Sequence, residues 1–252
     1  MACAAMMFVF WTGPATKWHL PAKDTLATPL PRVVTYLALG DSYTIGQSVA
    51  TKDRFPIQAV SMLRRAGYNM ADADILATTG WTTGNLLQAL KEKELSTSYD
   101  FVSLLIGVNN QFRGLPVDRY RTEFTLLLRK SIQLAGNRPD RVVVVSIPDY
   151  SVTPFAVGPV DRGKIARQIN VFNKVNKQLA ATYRVHYLNV TEESRKAAIY
   201  PRLIATDGLH FSAIEYQIWA EQLVGIMKLS IGEKEIAGPA AYSSAEAAAK
   251  EK

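Results

Sequence analysis

The sequence predicts an α/β fold in which a five-stranded, mainly parallel sheet lies between two layers of helices. Three observations predict it. Short β-branched and apolar runs alternate five times with longer segments of helical period. The run Val142-Val143-Val144-Val145 has no polar face at all, as a central strand covered on both sides requires. The connecting segments are long enough to be helical crossovers, which return the chain so that the next strand runs parallel to the last.

The first strand is expected over 33–39, where Val33-Val34-Thr35-Tyr36-Leu37-Ala38-Leu39 is closed by Gly40. A helix follows over 55–66, with Phe55, Ala59, Met62 and Leu63 at helical spacing and Gly67 as its stop. The alternation recurs as a strand at 73–77, a helix at 85–93, a strand at 101–106 and a long helix at 117–135. The valine-rich strand spans 141–147. The helix at 162–183 puts Ile165, Ile169, Phe172, Val175 and Leu179 on one face. A fifth strand is expected at 185–190, a short helix at 193–198, and a closing helix at 212–229 that Ser212 and Glu215 would open as a capping box. Ligands of such sheets bind at the carboxyl ends of the strands, so those ends are where chemistry is sought.

The folded domain is placed at 32–232. Ahead of it, residues 1–31 hold an apolar run from Ala2 to Trp11 and then a proline-rich tether. The run is too short to span a bilayer and about right for the apolar part of a signal peptide, but no basic residue precedes it and no small-residue cleavage site follows. Export to the periplasm or outside the cell, and a disordered or membrane-touching N-terminus, are both compatible with it. Residues 233–252 form a low-complexity tail rich in Ala, Glu and Lys.

Of 252 residues, 48% are apolar, enough for one substantial core, and the single cysteine, Cys3, excludes an internal disulfide or a cysteine-based metal cluster. The formal charge of +7 comes from basic residues spread over amphipathic segments. They are not clustered with interleaved aromatics, so nucleic acid is not an expected partner, and no stable membrane span is expected in the domain.

Gly40-Asp41-Ser42-Tyr43 begins where the first strand stops, which puts a serine hydroxyl at the ligand-binding edge. Such a hydroxyl becomes a nucleophile when a base takes its proton and donors hold the oxyanion that forms. Taken alone, the tetrapeptide reads more readily as a helix cap after a glycine turn than as a nucleophile. The base can be sought among three histidines. His19 lies in the tether, and His186 opens the fifth strand, where packing explains it. His210 stands in Thr206-Asp207-Gly208-Leu209-His210, where a carboxylate three residues upstream can orient the imidazole. Thr78-Thr79-Gly80-Trp81 follows the second strand and Gly107-Val108-Asn109-Asn110 the third; the Gly80 amide and the Asn109 side chain are candidate oxyanion donors, although glycine and asparagine are also ordinary turn residues. Their joint placement at one sheet edge is what suggests a site.

The order Gly-Asp-Ser, Gly, Gly-x-Asn, Asp-x-x-His resembles the SGNH hydrolases, also called GDSL esterases or lipases, from about Val33 to Leu229. The resemblance implies a flavodoxin-like α/β/α sandwich, an ester hydrolase working through an acyl-enzyme, and no metal or organic cofactor. It assigns Ser42 as nucleophile, His210 as base and Asp207 as its orienting acid, with the Ser42 and Gly80 amides and the Asn109 side chain as oxyanion hole. Two positions depart from the family's usual pattern: Asn110 stands where many relatives have Asp, and Phe211 where many have Pro. The α/β-hydrolase elbow Gly-x-Ser-x-Gly is missing. Loops at 45–54, 111–116 and 149–160 would choose the substrate, with Tyr43, Trp81, Phe112 and Phe155 as candidate pocket walls. No long apolar lid segment is present, which favours short acyl esters or acetylated carbohydrates over long-chain fats. An acyltransferase would carry the same triad, and a glycan-binding domain that has lost turnover would keep the same cleft.

Overall fold

The computed structural model describes residues 32–96, 98–156 and 161–231. The chain divides into residues 1–30 and a second unit, 31–252, to which all described residues belong. The apolar run, the tether with His19 and the tail from 233 onward lie outside the described residues.

Five strands, β1 (Tyr36–Gly40), β2 (Asp74–Ala77), β3 (Phe101–Leu105), β4 (Val142–Val145) and β5 (His186–Leu188), form one sheet in the order β2-β1-β3-β4-β5. Every pairing is parallel. The order is that of the flavodoxin-like sandwich, with a topological switch beside β1: the chain leaves β1 for β2 on one side, then crosses to β3 on the other. β1, β3 and β4 are buried along their whole length, the condition that their mostly apolar composition anticipates; the one polar side chain of β3, Ser103, bonds the Tyr36 hydroxyl.

Helices α1 (Ser42–Ile45), α2 (Phe55–Arg65), α3 (Thr83–Glu92), α4 (Val108–Phe112), α5 (Val117–Leu134), α6 (Arg162–Tyr183), α7 (Thr191–Arg195) and α8 (Ala213–Ile231) complete the fold. α8 packs on α2, while α3, α5 and α6 pack side by side, giving the two outer layers. No helix among the described residues is long and apolar enough to cross a membrane.

The differences from the sequence reading lie at element ends. β1 starts at Tyr36, with Val34 held only by an isolated bridge to Met70. β5 is three residues long instead of six, because Ser146 Oγ accepts from the Val190 and Thr191 amides and pulls the chain out of the ladder. α4 takes in the first two residues of the loop expected at 111–116. It is a single turn opened by Gly107 at φ 134°, where a Cβ would lie 2.6 Å from the Tyr120 ring, so only glycine fits. His186 has the structural role expected of it, bonding Asp140 O and Ser230 Oγ through Nε2.

The capping box forms elsewhere than expected. Thr82 and Asn85 build one at the start of α3, side chain to backbone in both directions. At α8, Ser212 Oγ has no hydrogen-bond partner, and Glu215 turns inward to accept from Trp219 Nε1 at 2.8 Å. Tertiary packing of the Trp219 indole, fully buried among Tyr43, Phe55, Phe211 and Tyr216, outweighs the local cap. Burial pushes the Glu215 carboxyl up to about 7, against the lowering effect of the Trp219 bond.

A raised carboxylate pKa means that the folded chain keeps a proton the unfolded chain releases. The associated stability is complete below the ordinary value of 4.5, is lost as pH climbs to about 7, and levels off above it. The slope is at most about 1.4 kcal/mol per pH unit. Glu215→Gln keeps an acceptor for Trp219 and removes the titration, so the melting temperature of the wild type should fall relative to that of the variant between pH 4.5 and 7. Parallel melting curves across that range would contradict the assignment.

Candidate active site

The strand ends bring the predicted residues to one edge. Ser42 is the first residue of α1, immediately after β1; Asn109 lies in α4, just beyond β3; and β1 and β3 are hydrogen-bonded neighbours. Asp41 caps α1: its Oδ1 accepts from Tyr43 N at 3.1 Å and its carbonyl from Thr44 N and Ile45 N. The Ser42 amide is the first of the helix, where a backbone N–H has no intrahelical carbonyl to donate to. Asp41 is itself buried and its Oδ2 has no hydrogen-bond partner. Burial pushes it up to about 7, against the lowering effect of the Tyr43 bond and of the nearby Gly107 and Asp41 amides.

Ser42, Asn109 and His210 line one cavity of about 150 Å³. The rest of its wall is mostly apolar, from Tyr43, Val108, Phe112, Tyr150, Phe155 and Leu209. His210 Nδ1 bonds Asp207 Oδ2 at 2.6 Å, which leaves Nε2 as the nitrogen available to a proton on the substrate side. The turn that makes this possible is local: Gly208 takes φ 71°, and the Leu209 and His210 amides both donate to Asp207 Oδ1 at 2.9 Å. Behind the imidazole, the Tyr43 ring stands edge-on at 5.4 Å, and Phe211 packs on Tyr43 and Trp219.

Asp207 carries a further contact that the sequence reading missed. Ser48 Oγ donates to Oδ2 at 2.6 Å from a bend 159 positions upstream. Partial burial raises the Asp207 pKa, but the hydrogen bonds from Ser48, His210 and the two amides outweigh it and hold the carboxyl well below the usual carboxylate range. The group is therefore an anion at neutral pH.

Gly80 and Trp81 do not line the cavity; three hydrogen bonds hold their loop, and one of them joins it to the cavity wall at Asn109. Asn109 Nδ2 donates to Trp81 O at 3.0 Å, Arg113 Nη2 donates to Gly80 O at 2.7 Å, and Thr79 Oγ1 donates to Gln47 Oε1 at 2.6 Å. An amide NH2 has two hydrogens, so Asn109 can hold Trp81 O with one and still offer the other to the cavity. Trp81 itself is partly buried against the core.

The outer rim is aromatic. Phe112 and Phe155 are about half exposed, and with Tyr150 they form three ring pairs at 6.2–6.4 Å. The segment carrying Tyr150 and Phe155 is anchored from below. Asn173 of α6 grips Ile147 N and O together, and Asp149 takes Arg195 Nε at 2.9 Å and the Ser151 amide at 3.0 Å. Phe155 N donates to Gly208 O at 2.9 Å, joining this rim to the Asp207 turn. Tyr150 was not singled out from the sequence, and only its position just past the fourth strand marks it.

The GDSL-like lipase/acylhydrolase family matches residues 38–218, well over half of the chain, while no curated protein matches by sequence. Among solved structures, the chain resembles the psychrotrophic esterase EstA from a Pseudoalteromonas species, inhibited by monoethylphosphonate, at 20% identity with a TM-score of 0.60, covering 78% of this chain and 98% of that one. The acetylxylan esterase Axe2 from Geobacillus stearothermophilus gives 19% identity and a TM-score of 0.60, covering 77% of this chain and 94% of that one. A lipase/acylhydrolase from Enterococcus faecalis gives 20% and 0.59, covering 77% and 96%. At these identities the structural likeness speaks for the fold. The chain belongs to the GDSL-like lipase/acylhydrolase family, and by that membership it is a carboxylic ester hydrolase.

Proposed function

We propose that this protein is a serine esterase that hydrolyses short acyl esters or O-acetylated carbohydrates through Ser42, His210 and Asp207. The observation that carries the reading is the 2.6 Å bond between His210 and Asp207, with His210 and Ser42 on the wall of the same cavity. In this reading His210 Nε2 takes the proton of Ser42 Oγ as the oxygen attacks the ester carbonyl. The Ser42 amide and the free hydrogen of Asn109 Nδ2 receive the negative charge that moves onto the carbonyl oxygen, with the Gly80 amide joining them from the neighbouring loop that Asn109 holds through Trp81 O. The imidazolium then protonates the departing alcohol, and the same nitrogen activates water to release the acid. Asp207 stays ionised throughout and stabilises the charged imidazole, a role that its depressed pKa suits.

The acyl size follows from the cavity. Apolar cavities of about this volume accommodate a molecule the size of benzene, so acetyl to butyryl groups fit and an octanoyl chain projects past the rim. The half-exposed Phe112 and Phe155 offer flat apolar faces on which the alcohol portion, a sugar ring among others, can rest. The acetylxylan esterase among the structural neighbours is consistent with this choice.

Hydrolysis of p-nitrophenyl acetate, butyrate and octanoate by the wild type and by Ser42→Ala is the direct test. The wild type should prefer the two shorter esters, and kcat of the variant should fall by about a thousandfold or more with an unchanged circular dichroism spectrum. Wild-type rates in Ser42→Ala would end the serine reading, and a preference for octanoate would end the short-acyl reading. For Asp207→Asn, which removes the anion while keeping a similar shape, kcat should drop by about a hundredfold or more with KM little changed. A kcat within a few-fold of wild type would remove Asp207 from the triad.

A further inference from the structure

We infer that Ser48 is a positioning residue for Asp207, and that the bend Gly46-Gln47-Ser48 is the link by which the nucleophile turn orients the triad acid. The inference rests on the triad reading above. Three of the four hydrogen bonds on the Asp207 carboxylate come from its own turn, namely the Leu209 amide, the His210 amide and the His210 ring. The fourth comes from Ser48, and it shares Oδ2 with the imidazole, each bond being 2.6 Å. With a side chain 29% exposed, Asp207 is open to solvent on one side. The Ser48 hydroxyl limits the swing of Oδ2 about the Cβ–Cγ bond and so fixes the oxygen that meets His210 Nδ1.

The backbone points the same way. Ser48 holds φ 66°, in the left-handed region that serine seldom occupies. Arg184 is the C-cap of α6 and Asn137 follows the end of α5, which are usual places for that conformation. At Ser48 capping gives no such reason, since Gly46 already performs it for α1 at φ 65°. Backbone strain kept where a hydroxyl reaches a triad carboxylate is strain with a functional return. The bend is also fastened at its root, because the Gly46 and Gln47 amides both donate to the Ser42 carbonyl. Its middle residue, Gln47, accepts from Thr79 beside Gly80. One three-residue bend thus touches the nucleophile, the oxyanion loop and the acid.

The test is Ser48→Gly, alone and combined with Asp207→Ala. Glycine adopts positive φ freely, so this change relieves strain and removes the hydroxymethyl group, and with it the bond to Asp207. The melting temperature should hold or rise, while kcat for p-nitrophenyl acetate falls by about fivefold to thirtyfold with KM little changed, the scale of a hydrogen bond to a charged group near solvent. A merely structural serine predicts the opposite, with activity following stability. The rate at which a fluorophosphonate probe labels Ser42 should fall in Ser48→Gly, yet Ser48→Gly should add no further loss once Asp207 is alanine. The inference is overturned if Ser48→Gly keeps kcat within twofold, or slows labelling by the same factor with and without Asp207. If Asp207→Ala alone labels and turns over at the wild-type rate, the triad reading fails and this inference with it. An impaired Asp207→Ala beside an unimpaired Ser48→Gly refutes the inference only.

Discussion

The position of β1 between β2 and β3, parallel to both, is the constraint on which the rest of the molecule depends. A strand buried on both faces and bonded along both edges has no freedom at its end except the direction in which it leaves the sheet. The turn after Gly40 therefore starts from a fixed point, and so does the turn after Leu105, one strand away. A Cβ at Gly40 would lie 2.4 Å from the Leu105 carbonyl, so the two strand ends approach as closely as backbone allows. That closeness brings the Ser42 and Asn109 turns onto one cavity without any long loop. Every other contribution to the site reaches this pair: the Asp207 turn through the Tyr43 and Phe211 rings, the Gly80 loop through Asn109 and Gln47.

Three carboxyls near this framework show how environment sets their character. Asp41 and Glu215 are buried with one oxygen each unpartnered, and burial drives both up to about 7. Asp207 is the most exposed of the three and the most richly bonded, and it moves the other way. The contrast follows from a count of donors. Desolvation acts on all three, and only where four donors converge on two oxygens do hydrogen bonds to the charged form win. The role proposed for Asp207, orienting an imidazole, needs an anion, so its place on a turn with converging amides is more fitting than a place in the core.

Much of the fold and part of the site are legible in the sequence, for identifiable reasons. Strands buried on both faces are written as runs that are apolar almost throughout, so β1, β3 and β4 can be read directly, and the Asp207 to His210 pair is legible because both partners sit within one turn. What escapes the sequence depends on contacts across it. The capping signal at Ser212 is overruled by the pull of Trp219 on Glu215, while Thr82 with Asn85, a weaker motif on paper, forms the box. Ser48 gives no local sign at all, since its role lies in a positive φ and a partner 159 positions away. The Phe112, Tyr150 and Phe155 rim is half legible, because the sequence shows aromatics in loops but not which of them share a cavity wall.

The two departures from the family's usual pattern are each accommodated by a specific contact. Asn110 is fully buried, with Oδ1 accepting from Thr83 N at 3.0 Å and Nδ2 donating to Thr83 Oγ1 at 2.6 Å; Thr83 Oγ1 in turn donates to Glu123. That chain has a direction. Because the Thr83 hydroxyl gives its hydrogen to the Glu123 carboxylate, it can only accept from residue 110, and an ionised aspartate there would present a second acceptor and a buried charge. Asparagine is thus the residue that this arrangement of α3 and α5 requires. Phe211 follows from packing in the same way, since its ring fills the space between Tyr43 and Trp219 and so stiffens the ring that backs His210. A proline there would leave that space empty and would also remove the amide of residue 211. Both departures lie one residue from a group assigned to catalysis, and both are held by the core, so the cleft side of each turn is free to keep its chemistry.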